Sequence, residues 1–162
     1  MTTVAAPPQP DLLMLLNQAS YALQTELTAA LEDLGISPRM HCVMHQAASG
    51  NLTQGQIAEA CALDKTTMVV TMDRLEKAGL AERQRCPDDR RACFVVVTPA
   101  GRRMLATAGA IVNAMFADVL GALPEDERAV FISALRRLVE GRLSTPAHTE
   151  RPVRRRAQRV AS

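Results

Sequence analysis

The sequence predicts a mainly helical α+β fold, in which helices surround a helix-turn-helix and a single β-hairpin. Three observations carry this reading. Apolar residues recur at helical spacing along most of the chain, as in Leu13, Leu16, Leu23 and Leu27. Two short segments, "TQGQIAEAC" and "DKTTMVVTMDRLEKAGL", are joined by only a few residues, which is the minimal helix-turn-helix. The period then changes. "AERQRC" and "ACFVVVT" are rich in Val, Phe, Cys and Arg, and the "PDDRR" between them reads as the charged tip of a hairpin.

Residues 1–10, "MTTVAAPPQP", have no periodicity and are expected to be a disordered lead-in. A long helix is expected from Asp11 to Leu34, with Leu13, Leu16, Ser20, Leu23, Leu27, Ala30 and Leu34 on one stripe and Gly35 as its stop. Ser37-Pro38 starts a second helix that runs to about Ala48, with Pro just inside its start. Thr53 and Gln56 form a capping box, and Ile57 and Cys61 should face inward behind it. Asp64 caps the next helix, so the helix-turn-helix spans 53–79 and ends at Gly79. The hairpin occupies 81–98. Thr98-Pro99 opens a long helix to about Leu120, with Met104, Ala108, Ile111 and Met115 on one stripe. "LPEDER" opens the last helix, and its acidic first turn suits the helix dipole. One domain over 11–140 is expected, followed by a disordered basic tail, 141–162.

Composition narrows the classes. Of 162 residues 48% are apolar, yet there is no Trp, one Tyr and three Phe, so the core must be aliphatic. No apolar run approaches the roughly 20 residues of a membrane span. No charged region followed by an apolar one marks a secretory signal. Four cysteines, Cys42, Cys61, Cys86 and Cys93, are far apart and follow no CxxC pattern. They are expected to be reduced thiols in a cytoplasmic protein. Charge is uneven: 1–50 carry −3, 51–103 carry +2, 104–140 carry −2 and 141–162 carry +5. That asymmetry hints at a polyanionic partner.

The second helix of the helix-turn-helix has two faces. Met68, Met72 and Leu75 make a buried stripe, while Thr66, Val69, Val70 and Asp73 fall on the other. Two adjacent valines between a threonine and an aspartate suit a surface that is neither purely aqueous nor purely apolar.

Helix, helix-turn-helix, hairpin, long helix, helix: this order resembles the MarR family of winged helix-turn-helix regulators. The resemblance spans Leu12 to Val139 and is densest from Leu52 to Leu105. There the helix end "DRLEKAGL", the tip "PDDRRA" and the junction "VTPAG" are together specific. The resemblance implies a DNA-binding regulator of transcription. Its hairpin is a wing, and the long terminal helices, 11–34 and 99–140, knit a two-fold homodimer. Symmetry then implies a pseudo-palindromic operator in double-stranded DNA. The physics agrees: a helix about 10–12 Å across fits the major groove, and a flanking hairpin can carry Arg into the minor groove.

Residue roles follow from the same resemblance. Asp89 and Arg91 match the family's Asp-x-Arg wing pair, in which Asp orients the Arg that enters the groove; Arg90 goes to phosphate. On the helix, Thr66 and Thr67 are polar candidates for bases, and Lys65, Arg74 and Lys77 hold phosphates. Family positions matching Val69 and Val70 are often Ser, Thr or Arg, and this sequence departs from that. A Val can read only a thymine methyl or impose a shape. Base readout by this helix should therefore be sparse and partly apolar. The structural alternative packs Val69 against the wing or the core.

The resemblance also implies a ligand pocket between the dimer helices and the winged domain, where relatives take small aromatic or phenolic anions. Arg39, His41 and His45 can answer a carboxylate, and Tyr21 can line the wall. His41, His45 and Cys42 do not close a metal site, so no metal or cofactor is expected. No GxSxG, P-loop or HExxH occurs, and an enzyme is not expected. The early cysteine of peroxide-sensing relatives is replaced by Leu13. A symmetric hairpin would place Cys86 opposite Cys93, and a slip of one places Arg85 there instead. The competing functional reading is a helical ligand- or partner-binding protein of this fold that has lost specific DNA binding.

The six Arg of the tail yield one prediction. Each neutralised phosphate contributes about 0.9 to the slope of log affinity against log salt. Deleting 142–162 should flatten that slope and leave relative preferences among operator variants intact. An unchanged slope in salt-titrated gel shifts removes the tail from the interface.

Overall fold

The computed structural model describes residues 11–85 and 93–145. The lead-in, the wing-tip residues Cys86, Asp89, Arg90 and Arg91, and the tail from 146 lie outside the described residues. The chain divides into two compact units, Met1–Ala117 and Asp118–Ser162. The division falls inside the long helix.

The first unit contains α1 (Leu12–Ala30), a 3-10 turn (Glu32–Leu34), α2 (Pro38–Ala47), α3 (Gln54–Ala60), α4 (Lys65–Lys77), β1 (Ala81–Arg85), β2 (Cys93–Val97) and most of α5 (Pro99–Gly121). Side-chain caps start these helices. Asp11 accepts from the Met14 N–H, Ser37 from Met40 and Asp64 from Thr67, each meeting an otherwise orphaned donor. Thr53 and Gln56 complete both arms of the capping box.

The first helix is shorter than its periodicity suggests. It ends at Ala30, and the chain tightens into the 3-10 turn before Gly35 reverses it at φ 67. The tightening breaks the expected stripe. Leu31, which lies off that stripe, becomes fully buried at 0% exposure, while Leu27 and Leu34 are half-buried. Helical spacing cannot foresee a change of pitch.

The core is aliphatic, as composition requires. Met40, Val43 and Met44 of α2 pack with Ile57 of α3, Met68, Met72 and Leu75 of α4, and Val95 and Val97 of β2. Ala108 and Val112 bring α5 into the same cluster. Full burial of such side chains stabilises by about 1.5–3 kcal/mol each.

The hairpin is antiparallel, with Ala81 opposite Val97 and Arg85 opposite Cys93. Of the two registers the sequence left open, this is the one in which Cys93 faces Arg85; Cys86 lies outside the described residues. The chain before α3 joins the sheet as well. Thr53 bridges Phe94, and the Val95 N–H reaches the Leu52 carbonyl at 3.3 Å.

The motifs "DRLEKAGL" and "VTPAG" acquire physical meaning where α4 ends and α5 begins. Gly79, at φ 67, ends α4, and the Leu80 N–H returns to the Leu75 carbonyl at 2.9 Å, a Schellman closure. The Thr98 hydroxyl donates to the Gly79 carbonyl at 2.7 Å and accepts from the Gly101 N–H at 3.0 Å. Gly101 itself has no room for a side chain. A Cβ there would lie 2.0 Å from the Leu80 carbonyl oxygen and 2.7 Å from Val97 Cγ1.

The expectation that no apolar stretch is long enough for a membrane needs correction. With 23 residues, α5 meets that test by length and composition, because its Ala, Met and Val runs outweigh a few polar residues. Only 11% of its most apolar window is buried in the single chain.

The second unit holds the end of α5 and α6 (Glu125–Glu140). Arg128 Nε donates to the Leu123 carbonyl at 2.9 Å, and its Nη2 to the Gly121 carbonyl at 3.2 Å, so one side chain closes the end of α5. Glu125, Asp126 and Glu127 occupy the first turn of α6. Beyond α6 the described residues 141–145 form turns. The Leu143 N–H returns to the Leu138 carbonyl at 2.9 Å.

Gly101→Ala should destabilise the fold by about 1–3 kcal/mol, the scale of overpacking against immovable backbone. Gly109→Ala, with nothing within 4 Å of its Cβ, should instead be neutral or stabilising by up to about 1 kcal/mol. Urea melts of both variants check the contrast. Equal midpoints would remove close approach as the reason for Gly101.

Candidate nucleic-acid interface

The helix-turn-helix presents α4 outward. Met68, Met72 and Leu75 are fully buried, and Thr71 stays inside by donating its hydroxyl to the Thr67 carbonyl at 2.7 Å. On the opposite face Lys65, Thr66, Val69, Val70, Arg74 and Lys77 are exposed. Val69 and Val70 are 38% and 46% exposed, so neither is withdrawn into the core. Two adjacent valines held half in water suit an apolar surface of a ligand.

The start of α4 is fixed by Asp64. Its carboxylate accepts the Thr67 N–H at 2.8 Å and the Thr67 hydroxyl at 2.7 Å. Those bonds, the backbone one first, hold the Asp64 carboxyl below its ordinary value. Thr67 is half-buried and its hydroxyl proton is committed to the cap. That leaves Thr66 as the exposed hydroxyl of the helix start.

Arg83 was not singled out by the sequence. It lies on β1, on the same face as buried Ala81, and its guanidinium joins three elements. Nη2 donates to Asp73 Oδ1 at 2.8 Å and to the Val69 carbonyl at 3.2 Å. Nη1 bonds Glu76 Oε2, and Nε donates to Gln54 Oε1 of α3 at 2.9 Å. The Arg83 backbone N–H reaches Glu76 Oε1 at 2.9 Å, so Glu76 is gripped twice. The wing strand is thereby tied to the exposed helix, and Asp73 is occupied by its own fold. An arginine on the inward side of a strand, following Asp and Glu on the preceding helix, was the signal available.

Arg39, assigned to a ligand pocket by the sequence, sits elsewhere. It lines a hollow of about 220 Å³ with Ser37, Thr66, Thr67, Val70 and Arg74. Two guanidinium-bearing side chains and several hydroxyls thus border the exposed face of α4. Such a set suits phosphate oxygens.

His41 and His45 do share a hollow, of about 430 Å³. Its wall is completed by Leu27 of α1, Pro38 and Cys42 of α2, and Leu105, Gly109, Val112, Asn113 and Phe116 of α5. The rings lie 6.1 Å apart between centroids. Burial, and then the charge of His45, push His41 below the ordinary imidazole value of 6.5, so it is neutral at pH 7. Of the four residues expected to bind ligand, the structure brings two together. Tyr21, on α1, is 76% exposed and does not line this hollow. Among the described residues no group of three or more His, Cys, Asp or Glu is placed to hold a metal ion.

Comparison with known proteins agrees with this geometry. Residues 34–92 match the family model described as MarR family. A putative transcriptional regulatory protein for the hcr operon of Thauera aromatica is 30% identical over 115 residues, covering 70% of this chain and 69% of that protein. The transcriptional repressor CouR bound to a 23-mer DNA duplex is similar at a TM-score of 0.71 and 26% identity, covering 79% of this chain and 92% of that one. CouR from Rhodococcus jostii RHA1 bound to p-coumaroyl-CoA is similar at a TM-score of 0.71 and 25% identity, over 87% of this chain and 96% of that one.

Arg83→Ala should cost about 1–2 kcal/mol of stability, the scale of hydrogen bonds to charged groups discounted for partial exposure. It should also weaken DNA binding, although Arg83 lies behind the exposed face. Asp73→Asn should cost less, because Asp73 is 61% exposed and water takes up its carboxylate. Thermal melts with DNA titrations check both. An Arg83→Ala protein that keeps its melting point and its affinity would show that the wing needs no such tie.

Proposed function

The chain belongs to the MarR family of transcriptional regulators, and from that premise we propose that it is a ligand-responsive repressor that binds a pseudo-palindromic operator as a homodimer. The observation that carries the reading is the exposed face of α4: cations at Lys65, Arg39, Arg74 and Lys77 frame Thr66, Val69 and Val70. The cations neutralise phosphates, which positions the helix without reading sequence. Val69 and Val70 meet thymine methyls or the shape of the major groove. Thr67 acts at one remove, holding the helix start through Asp64. Arg91, aimed by Asp89, enters the minor groove, and Arg90 takes a phosphate.

Dimerisation is supported by apolar surface that the single chain leaves bare. On α1, Leu12, Leu13, Met14 and Leu15 are exposed, and on α6 so are Val130, Phe131, Leu138 and Val139. A second copy covers each of these faces, and two-fold symmetry sets the half-sites about 34–36 Å apart. The effector is a small phenolic or aromatic anion. An apolar hollow with two imidazoles and the Asn113 amide at its wall supports it: the ring lies against Leu27, Val112 and Phe116, and the acid faces His41 and His45. The p-coumaroyl thioester of the related CouR complex belongs to the same phenolic class.

The test is a gel shift with the chain's own upstream DNA at two salt concentrations, with and without phenolic acids. Salt-sensitive binding, released by an aromatic acid, is the expected result. Arg91→Ala should weaken binding by about 1–3 kcal/mol and Asp89→Ala by less. Parent-like binding by Arg91→Ala with loss in Arg90→Ala would reverse the two roles. Absence of salt-sensitive binding to any upstream fragment would favour a ligand- or partner-binding protein that has lost specific DNA recognition.

A further inference from the structure

Cys42 and Cys61 are separated by 19 positions in sequence, yet their sulfurs lie 3.1 Å apart. Cys42 sits in the middle of α2, and Cys61 caps the C-terminal end of α3. A disulfide needs about 2.05 Å between sulfurs, so the pair is about 1 Å short of a bond. Both side chains are half-buried rather than sealed. Cys42 also forms part of the wall of the histidine hollow, which gives a small molecule a path to its sulfur.

We propose that Cys42 and Cys61 form a reversible dithiol–disulfide site, at which a peroxide-class oxidant fastens the turn of the helix-turn-helix to the helix that walls the histidine hollow. Cys42 is the attacking sulfur. The hydrogen bond it shares with the Cys61 thiol pulls its pKa down to about 7, against the opposing effect of burial. Cys61 is pushed upward by the same hydrogen bond and by burial, and the partial negative charge at the end of a helix opposes a thiolate there. The thiolate is the reactive form, so at neutral pH the chemistry starts on Cys42.

The steps balance. The Cys42 thiolate attacks one peroxide oxygen, the O–O bond breaks, and the leaving oxygen takes a proton to become water. Cys42 is left as a sulfenic acid. Cys61 then attacks the Cys42 sulfur, the S–O bond breaks, and a second water leaves with the Cys61 proton. The two sulfurs have given two electrons to the peroxide. Any dithiol reductant reverses the bond by thiol exchange.

The link acts on a strained piece of chain. Cys61 precedes Ala62, which holds φ 51, a left-handed conformation that costs a side chain-bearing residue. The Ala62 and Leu63 amides return to the Glu59 and Ala58 carbonyls at 3.0 and 2.8 Å, closing the turn. Anchoring Cys61 to α2 restrains that turn directly.

The test uses the full chain carrying Cys86→Ser and Cys93→Ser, so that only the two thiols in question remain. Hydrogen peroxide should remove both thiols and lower the mass of each chain by two hydrogen atoms. Chains should not be cross-linked to one another, and dithiothreitol should restore the mass. Replacing Cys61 by Ser, or by Ala if the serine variant does not fold, should stop the reaction at one added oxygen that dimedone traps on Cys42. In the linked form the Ala62 and Leu63 amides should exchange more slowly with solvent. Two thiols still alkylated after peroxide, cross-links between chains, or unchanged exchange in the linked form would each overturn the proposal.

Discussion

The guanidinium of Arg83 is the joint on which the presented surface depends. The exposed helix α4 is held from behind by Met68, Thr71, Met72 and Leu75, which leaves its outer half without support from the core. The wing is a sheet of two strands, and two strands alone are marginal in water. Each element needs the other. Arg83 makes the exchange by bonding α3 through Gln54 and α4 through Val69, Asp73 and Glu76, while its own backbone stays in β1. Hydrophobic burial brings these elements together without direction. The planar fork of one arginine sets their angle.

Much of this was legible in the sequence, because much of it is local. The caps at Ser37, Thr53 and Asp64 and the stop at Gly79 depend on residues three or four apart, and each is where the sequence puts it. The hairpin and the helix order were legible from changes of period. What was missed is tertiary. Leu31 enters the core only because the chain tightens after Ala30, and Cys42 meets Cys61 only because α2 packs on α3. Arg39 looked like a neighbour of His41, yet two positions along a helix turn its side chain away, toward Thr66 and Arg74. The Cys93 partner turned on a shift of one residue, which no single sequence can settle.

Exposed apolar surface explains the rest of the architecture. Leu12 to Leu15 on α1, and Val130, Phe131 and Val139 on α6, carry apolar side chains that the single chain leaves exposed; in the proposed dimer a second copy buries them. Val69 and Val70 are a smaller case of the same condition, since water is not their best neighbour. In the proposed complex the methyl-lined side of the major groove takes its place. In that proposal the cations around them supply affinity, and the valines supply what selectivity the helix has.

That division of labour is tested most directly by removing single methyl groups from the DNA. Each thymine of the operator is replaced in turn by deoxyuridine, and affinity is measured for the parent and for the Val69→Ala, Val70→Ala double variant. The account predicts at least one position in each half-site where the parent loses about 0.8 kcal/mol, the value of one buried methyl, and where the double variant loses nothing further. Parent binding that is indifferent to every substitution, or equal losses in parent and variant, would contradict it.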